Sequence, residues 1–589
     1  MHRLKPHIAK ILLSAIFLVF SIATINWTLT DKTPPAWDPA DHISAGYDYY
    51  APLARFSLSG FARELFVEPH FYAPFVHLIT AFFFLLFGAS RLAGIGVNLA
   101  SLAILLFSVY WISKRLYGNQ ATSRFAEQQA DGAEKVDGQS PPYFSVMLMG
   151  VLAALLASSY HFSAWLLHDN FLDYPLMALV AAGFAALIHA DNFQNRRAAL
   201  LFGVIAGCGM LTKQTYGFFF LLPAIYVSLR VLLSRDWRAI VNLLLAAGVL
   251  ALVTAIWYVP HLCEVLTIFK INNEAAQAEN EAPLFSLKSN LFYLHALFSH
   301  QLQLPFAMLF LLGLIFSLVR YRRQSVLLYL WLISGIGVFT MLPNKDIRYT
   351  VPALPAVALL SVCWVGRLTI NWAKPRLALL KILPLAGIAL WAVMSFFNAQ
   401  YPAEGLGVFI DSPGFRWMVY ARNYFGFDHR PFSQDWGVPD SVVAIENDWR
   451  EHRPPVEKLV RKSLHPTCAK EPDAPLPKEF YEKPVVGVVV NLPFLNPSNI
   501  SLYSRLLNRK RGDIPLVLVD WLTSETLKNH LEDCDYIIIR TVIDKGGLTA
   551  PLEPYAREWI KANEQQLTQI AAFPIPIEGA ETVVYRRIR

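Results

Sequence analysis

The sequence predicts a polytopic α-helical membrane bundle of about eleven spanning helices plus one interfacial helix, followed by a C-terminal soluble α/β domain. Three observations carry that prediction. The 589 residues are 55% hydrophobic and 16% charged, with mean hydropathy +0.38, whereas a soluble domain carries about 45–50% apolar and about 25% charged residues. The apolar residues fall into runs close to the roughly 17–25 that a bilayer crossing needs. Beyond Pro484, short β-type runs alternate with helical ones. A soluble enzyme, a disordered chain and a collagen-like fibre are thereby excluded. A net charge of +7 would suggest nucleic acid in a soluble protein. Here the basic residues sit in short loops between apolar runs, so they report topology and no nucleic-acid partner is expected.

The predicted spans are 11–30, 94–113, 143–166, 172–190, 198–212, 215–233, 239–259, 304–319, 325–342, 349–366 and 379–397. The first follows Arg3, Lys5 and Lys10 without a small-x-small cleavage site and reads as an uncleaved anchor. Ala73 to Gly88 is apolar but short, which fits a re-entrant or interfacial helix. Its parity fixes the topology. If it does not cross, the cytoplasmic loops hold Lys114 and Arg115, Arg196 and Arg197, Arg235 and Arg238, Arg320 to Arg323, and Arg367 to Lys381. If it crosses, all these clusters lie outside, against the positive-inside rule. The non-crossing arrangement is the consistent one. The loop 31–93, the loop around 168–173, the segment 260–305, the turn 345–349 and everything after about 398 then face the non-cytoplasmic side.

Residues 1–397 read as one membrane domain and 119–142 as a polar cytoplasmic linker. Residues 398–483 form an irregular Pro- and aromatic-rich region without strong periodicity, and 484–589 a small α/β domain. In the last, 485–490, 515–519, 536–540 and 582–586 read as strands, and 501–511, 524–533 and 553–571 as helices, favouring a mostly parallel sheet. Of five cysteines, Cys208 and Cys363 lie in apolar spans, while Cys468 and Cys534 lie outside them and have the chance to pair. No CxxC, HExxH or Walker A pattern occurs, so no metal centre and no ATP or dinucleotide chemistry is expected.

Candidate chemistry concentrates on the non-cytoplasmic side. Trp37-Asp38-Pro39-Ala40-Asp41-His42 reads as a helix start, with Asp38 at the N-cap and Pro39 at N1. The same Asp38, with Asp41 and His42 one turn on, also suits a general base at a membrane–water boundary. Spacing alone leaves both readings open. His168-Asp169-Asn170-Phe171-Leu172-Asp173 places two carboxylates just before a span, where acids also complement a helix N-terminus. Glu68-Pro69-His70 precedes the short helix and Lys213 closes a span. Asn344-Lys345-Asp346-Ile347-Arg348-Tyr349 is a tight turn with two cations. Such cations are either headgroup-level anchors or, beside carboxylates on one face, ligands for a phosphate.

Taken in order, WDPADH, EPHFYAP leading into a helix that ends LFG, DYPL, GMLTK and KDIRYTVPALP resemble the GT-C glycosyltransferases of the protein O-mannosyltransferase and aminoarabinose transferase type. The resemblance covers roughly 10–370. It implies a GT-C bundle that takes a sugar from a polyprenyl-phosphate carrier and passes it to a glycan, lipid or protein acceptor on the periplasmic side of a bacterial inner membrane. By position, Asp38 matches the first acid of the family's Asp-Glu pair and becomes the candidate base. Pro39 stands where the second acid belongs, so no divalent metal and no cofactor is expected. Asp173 matches the acid of the second loop. Lys345 and Arg348 match the basic turn near the carrier phosphate, with Lys213 as helper. His42 and Asp173 orient base or acceptor, and Asp41, Glu68, His70, Asp169 and Tyr349 complete the candidate site. An apolar groove beside 73–88 is expected to hold the prenyl tail. A transporter or flippase is the alternative class, although ionisable residues avoid the span centres and no inverted repeat is seen. An anchored sensor or scaffold, with the α/β tail as ligand-binding part, is the other.

Overall fold

The computed structural model describes residues 5–68, 71–130, 142–267, 282–370 and 374–401. Further on it describes 407–412, 415–420, 435–452, 484–507 except 491 and 493, 517–518, 531–541 except 533, 553–575 and 579–588. The chain divides into two compact units. One comprises Met1–Trp27, Leu65–Val76 and Ile95–Arg430; the other comprises Thr28–Glu64, His77–Gly94 and Pro431–Arg589.

The helices before the C-terminal part are α1 (Lys5–Thr30), α2 (Trp37–Ala54), α3 (Leu58–Phe66), α4 (Phe75–Phe87), α5 (Arg91–Gly94) and α6 (Gly96–Ala130). There follow α7 (Pro142–Ser159), α8 (His161–His168), α9 (Asp173–Ala190), α10 (Arg196–Met210), α11 (Tyr216–Ser234) and α12 (Trp237–Tyr258). After these come α13 (Leu287–His295), α14 (Gln303–Arg320), α15 (Val326–Thr340), α16 (Leu354–Ser361) and α17 (Pro375–Gln400). Among the described residues, eight helical segments are long and apolar enough to cross a membrane, and nine if the bent pair α7–α8 is one span. The expected spans 198–212 and 325–342 are helices α10 and α15, each of 15 residues and shorter than a full crossing. The expected span 143–166 bends by 63° between α7 and α8. Ser158 and Ser159 at the break turn their hydroxyls back onto carbonyls three and four residues earlier, a local competition that bends helices. The short apolar helix expected at 73–88 is α4. It stops at Gly88, whose φ of 82° is the left-handed conformation that ends helices cheaply in glycine.

In the membrane unit α9 is the central element, buried along nearly all its length. Its Phe184 ring stacks on Trp331 at 3.9 Å and on Phe220 at 4.4 Å. It packs against α6 and α10, and Gly183 leaves room for the Tyr216 and Phe220 rings, which a Cβ would strike. The stretch expected to be irregular contains an antiparallel hairpin, β1 (Val408–Ser412) with β2 (Phe415–Tyr420). The hairpin rests on the π-helical turn Ala296–Gln301, where Met418 N donates to Ser299 Oγ at 2.8 Å.

In the second unit a five-stranded sheet has the order β4-β3-β5-β7-β6. Its strands are β3 (Val485–Val488), β4 (Val517–Leu518), β5 (Tyr536–Arg540), β6 (Leu567–Pro574) and β7 (Glu581–Arg587). The run Tyr-Ile-Ile-Ile-Arg is buried throughout because both faces of β5 are covered. Tyr536 and Ile538 meet Val442, Ile445 and Trp449 of α18 (Val438–His452), while Ile537 and Ile539 meet Ala556 and Trp559 of α20 (Glu553–Ala562). The expected mostly parallel sheet is instead mixed: β4 and β5 run parallel to β3, but β7 is antiparallel to β5 and β6 to β7. The helix expected over 553–571 ends at Ala562, and Leu567–Pro574 is an edge strand with a bulge between Gln569 and Ala571. Its Gln and Ala residues favour helix locally; pairing with β7 overrides that preference. Cys534 is a buried thiol, Cys263 is disulfide-bonded, and Cys468 lies outside the described residues, as do 524–530 and 533 of the helix expected over 524–533.

His300, just before α14, gives a pH signature of the hairpin contact. Burial, with the neighbouring His295 adding to it, pushes its pKa down from 6.5 to about 4. The unfolded chain therefore takes up this proton first as pH falls, so stability should drop from pH 6.5 towards pH 4. His300→Gln should flatten the thermal midpoint across that window; an unchanged profile would remove His300 as the cause.

Candidate active site

Three segments far apart in sequence meet at the N-terminal end of α9, all within the membrane unit. Asp173 is the first residue of that helix, where an acid complements the positive end of the helix dipole. It is 2% exposed. Its Oδ1 accepts from Lys213 Nζ at 2.8 Å, and Lys213 lies 5.1 Å from the centroid of Tyr349. Lys213 is held there by the tight turn between α10 and α11, in which Lys213 N donates to Gly209 O at 3.1 Å and Tyr216 N to Lys213 O at 3.0 Å. Gly209 has to be small, because a Cβ would collide with the Tyr216 ring.

The third segment is the turn before the 3-10 helix Ile347–Ala353. Asp346 caps it, accepting from Arg348 N at 2.8 Å through Oδ1, while Oδ2 accepts from Arg348 Nε at 2.8 Å. The guanidinium sits 4.5 Å from the centroid of Phe171, in the loop that leads into α9. Gln301 anchors the turn by donating to Ile347 O at 2.7 Å and to Thr350 Oγ1 at 2.9 Å. Lys345 is 5% exposed and donates to Phe339 O at 3.1 Å and Thr340 O at 2.7 Å. It closes the C-terminus of α15, so two of its three donors are engaged by helix carbonyls. On the other side, Asn98 of α6 donates to the carbonyls of Leu166, Leu167 and Asp169 at 3.2, 3.1 and 2.6 Å. That holds the loop carrying Asp169 and Phe171. Asn98, Gln301 and Phe171 were not singled out by sequence, where lone amides and aromatics in apolar surroundings carry no distinctive spacing.

The acids of the first loop belong to the second unit. The helix α2 begins at Trp37, with Ala36 at its N-cap and no side-chain cap. Asp38 is thus a first-turn residue and not the expected cap, where its carboxylate complements the positive end of the helix. The face of α2 bearing His42, Gly46 and Tyr50, four residues apart, lies on α4. His42 Nδ1 is 3.2 Å from His77 Nε2, a Cβ on Gly46 would come within 2.5 Å of the Thr80 methyl, and Tyr50 meets Phe84 edge-on. His42 is accordingly buried in a helix crossing. Asp48, on another face, takes a two-pronged bond from Arg505 of α19 (Pro497–Leu507), at 2.8 Å through Nε and 3.1 Å through Nη2. Burial alone would lower the Arg505 pKa; Asp48, with Asp41 and Glu64, more than offsets it and raises it. Asp41 is exposed. Glu68, in the membrane unit, offers its carbonyl to His261 at 3.2 Å, and His70 lies outside the described residues. Among the described residues, no three His, Cys, Asp or Glu side chains converge as metal ligands.

The Asp173–Lys213 pair is a testable unit. Lys213→Met leaves a buried carboxylate without its partner and should cost about 3–5 kcal/mol, whereas Asp173→Asn with Lys213→Met should recover most of it. Thermal unfolding of the detergent-solubilised protein reads this; additive losses would show that the two do not form one interaction.

Residues 144–407 match the Alg9-like mannosyltransferase family. ArnT from Cupriavidus metallidurans in the apo state superposes with a TM-score of 0.54 at 13% identity, covering 97% of each chain. The same protein bound to undecaprenyl phosphate gives 0.54 at 14% identity, covering 98% of this chain and 97% of that one. An uncharacterized protein of Aquifex aeolicus (strain VF5) is 27% identical over 207 residues, 34% of this chain; the match spans only 40% of that relative's length. The family match over the membrane region and the near full-length fold match agree with the resemblance read from the motifs: the chain shares the fold of ArnT.

Proposed function

We propose that the protein is a membrane glycosyltransferase that moves a sugar from a polyprenyl-phosphate carrier to an acceptor on the non-cytoplasmic side. The observation that carries this reading is the convergence of Asp173, Lys213, Arg348 and Tyr349 from three separate segments at one end of α9. A bundle that only anchors a tail needs no such cluster. ArnT, which shares the fold, has been solved with undecaprenyl phosphate bound, and that ligand class is the donor we assign.

The chemistry is a single displacement at the anomeric carbon. The acceptor oxygen forms a bond to that carbon, the bond to the carrier phosphate breaks, and the acceptor's proton passes to a base. The resemblance gives the base role to Asp38, in the first turn of α2. Arg348 and Lys213 stabilise the departing phosphate, exchanging part of their pairing with Asp346 and Asp173 for phosphate oxygens. Lys345 contributes through its charge, since helix carbonyls take most of its donors. The departure at Pro39 leads us to propose that no divalent metal takes part. Cys263 supports the sidedness. It follows α12 at the end away from Arg235 and Arg238, and it is disulfide-bonded, as thiols are in oxidising compartments.

One displacement reverses configuration, so the product should carry the anomer opposite to the donor's; retention would contradict the mechanism. In the same assay Arg348→Ala should lower transfer by about 10²–10³-fold and Asp38→Asn by about 10²–10⁴-fold, while chelators leave the rate unchanged. Full activity of Asp38→Asn would place the base elsewhere.

A further inference from the structure

The opposite end of α9 opens onto a second, unassigned feature, also wholly within the membrane unit. A cavity of about 740 Å3 is lined by Arg115 of α6, His189 in the last turn of α9, Arg196 and Arg197 in the first turn of α10, and Arg238 of α12. Asp191 is the one acid in the lining. Among the described residues, none of these four guanidinium groups has a carboxylate within ion-pair distance. The cavity walls are fixed. Asp191, Asn192 and Phe193 turn the chain through consecutive left-handed conformations, with φ of 48°, 51° and 63°, and Asn242 holds that turn by donating to Phe193 O at 2.8 Å. Asn195 caps α10, and Asp236 caps α12 while accepting from Gln194 at 2.6 Å.

Basic residues at the cytoplasmic ends of spans are ordinary topology signals. Simple snorkelling, however, sends each chain to the headgroup layer on its own. Here four arginines from three helices surround one concavity, towards which the positive ends of α10 and α12 also point. Arginine forks match phosphate oxygens. The position selects among phosphate compounds. The 18 residues of α9 rise about 27 Å, close to the roughly 30 Å of a hydrocarbon core. The cavity therefore lies at the headgroup level of the leaflet opposite Asp173. Its flank is apolar and uncovered: Leu201 and Val204 on α10 and Leu244 on α12 are 51%, 44% and 62% exposed. A water-soluble phosphate needs no such flank.

We propose that this cavity binds the headgroup of an anionic phospholipid, its phosphate oxygens held by Arg115, Arg196, Arg197 and Arg238 and its acyl chains lying along α10 and α12. The test is native mass spectrometry of the full chain, delipidated in a non-ionic detergent. It is titrated with cardiolipin, phosphatidylglycerol or phosphatidylcholine of matched acyl chains, and with inorganic pyrophosphate. The wild type should retain the two anionic lipids over phosphatidylcholine. Arg196→Ala with Arg197→Ala and Arg238→Ala should weaken that retention by about tenfold or more. The corresponding triple lysine variant, which keeps charge and loses the forks, should fall between. Arg320→Ala, an exposed cation at the end of α14 outside the cavity, should retain lipid as the wild type does. Equal retention of phosphatidylcholine, or the same loss in Arg320→Ala, would overturn the proposal. So would pyrophosphate that displaces lipid at equal concentration, because the site would then be one for a soluble anion.

Discussion

Hydrocarbon offers no water to an ionised group, so a charge in this chain has to sit at the end of a span or meet a partner. The helix α9 shows the consequence most directly. From Tyr174 to Ile188 it carries no ionisable group other than one tyrosine, and it is buried almost throughout by stacked aromatics and close helix neighbours. Its charges are confined to its two ends. At the first, Asp173 meets Lys213, with Arg348 and Tyr349 beside them; at the last, His189 and Asp191 join the arginines of α6, α10 and α12. One apolar rod thus fixes two polar sites at a separation the bilayer itself sets. The same rule explains the paired charges there: Lys213 and Arg348 each meet a carboxylate, of Asp173 and Asp346.

The C-terminal part is built into the molecule differently from an appended tail. In the second unit, α2 of the first loop packs on α19, and the Arg505 fork on Asp48 ties segments 457 positions apart. A buried Arg540–Glu553 pair, each side chain 2% exposed, locks α20 to β5 in the same unit. Asp38 therefore rides on a helix whose other faces are fixed twice over, by α4 and by α19. Deleting the α/β part would remove half of that support, so loss of function on truncation does not by itself distinguish a ligand-binding tail from a structural one.

What the sequence made legible follows from range. Apolar runs, basic loops and the segments DYPL, GMLTK and KDIRY are local signals, and the structure brings Asp173, Lys213, Arg348 and Tyr349 together. Asp38 read as a cap because Asp-Pro is a common helix start, yet the helix begins one residue earlier, with Ala36 at its N-cap. Lys345 read as a phosphate ligand like Arg348, but the carbonyls that hold it belong to the end of α15, which spacing does not reveal. The amides of Asn98 and Gln301 were silent because their partners are backbone atoms 68 and 46 positions away. The β6 strand was silent because only its pairing with β7 makes it one.

The most direct test of the account follows one label in purified protein reconstituted into liposomes, supplied with a panel of radiolabelled polyprenyl-phosphate sugars and candidate acceptors. The account predicts that with at least one donor the label leaves the carrier and appears covalently bound to an acceptor. Label that crosses the bilayer still joined to its carrier, with no covalent product, would identify a transporter and contradict it.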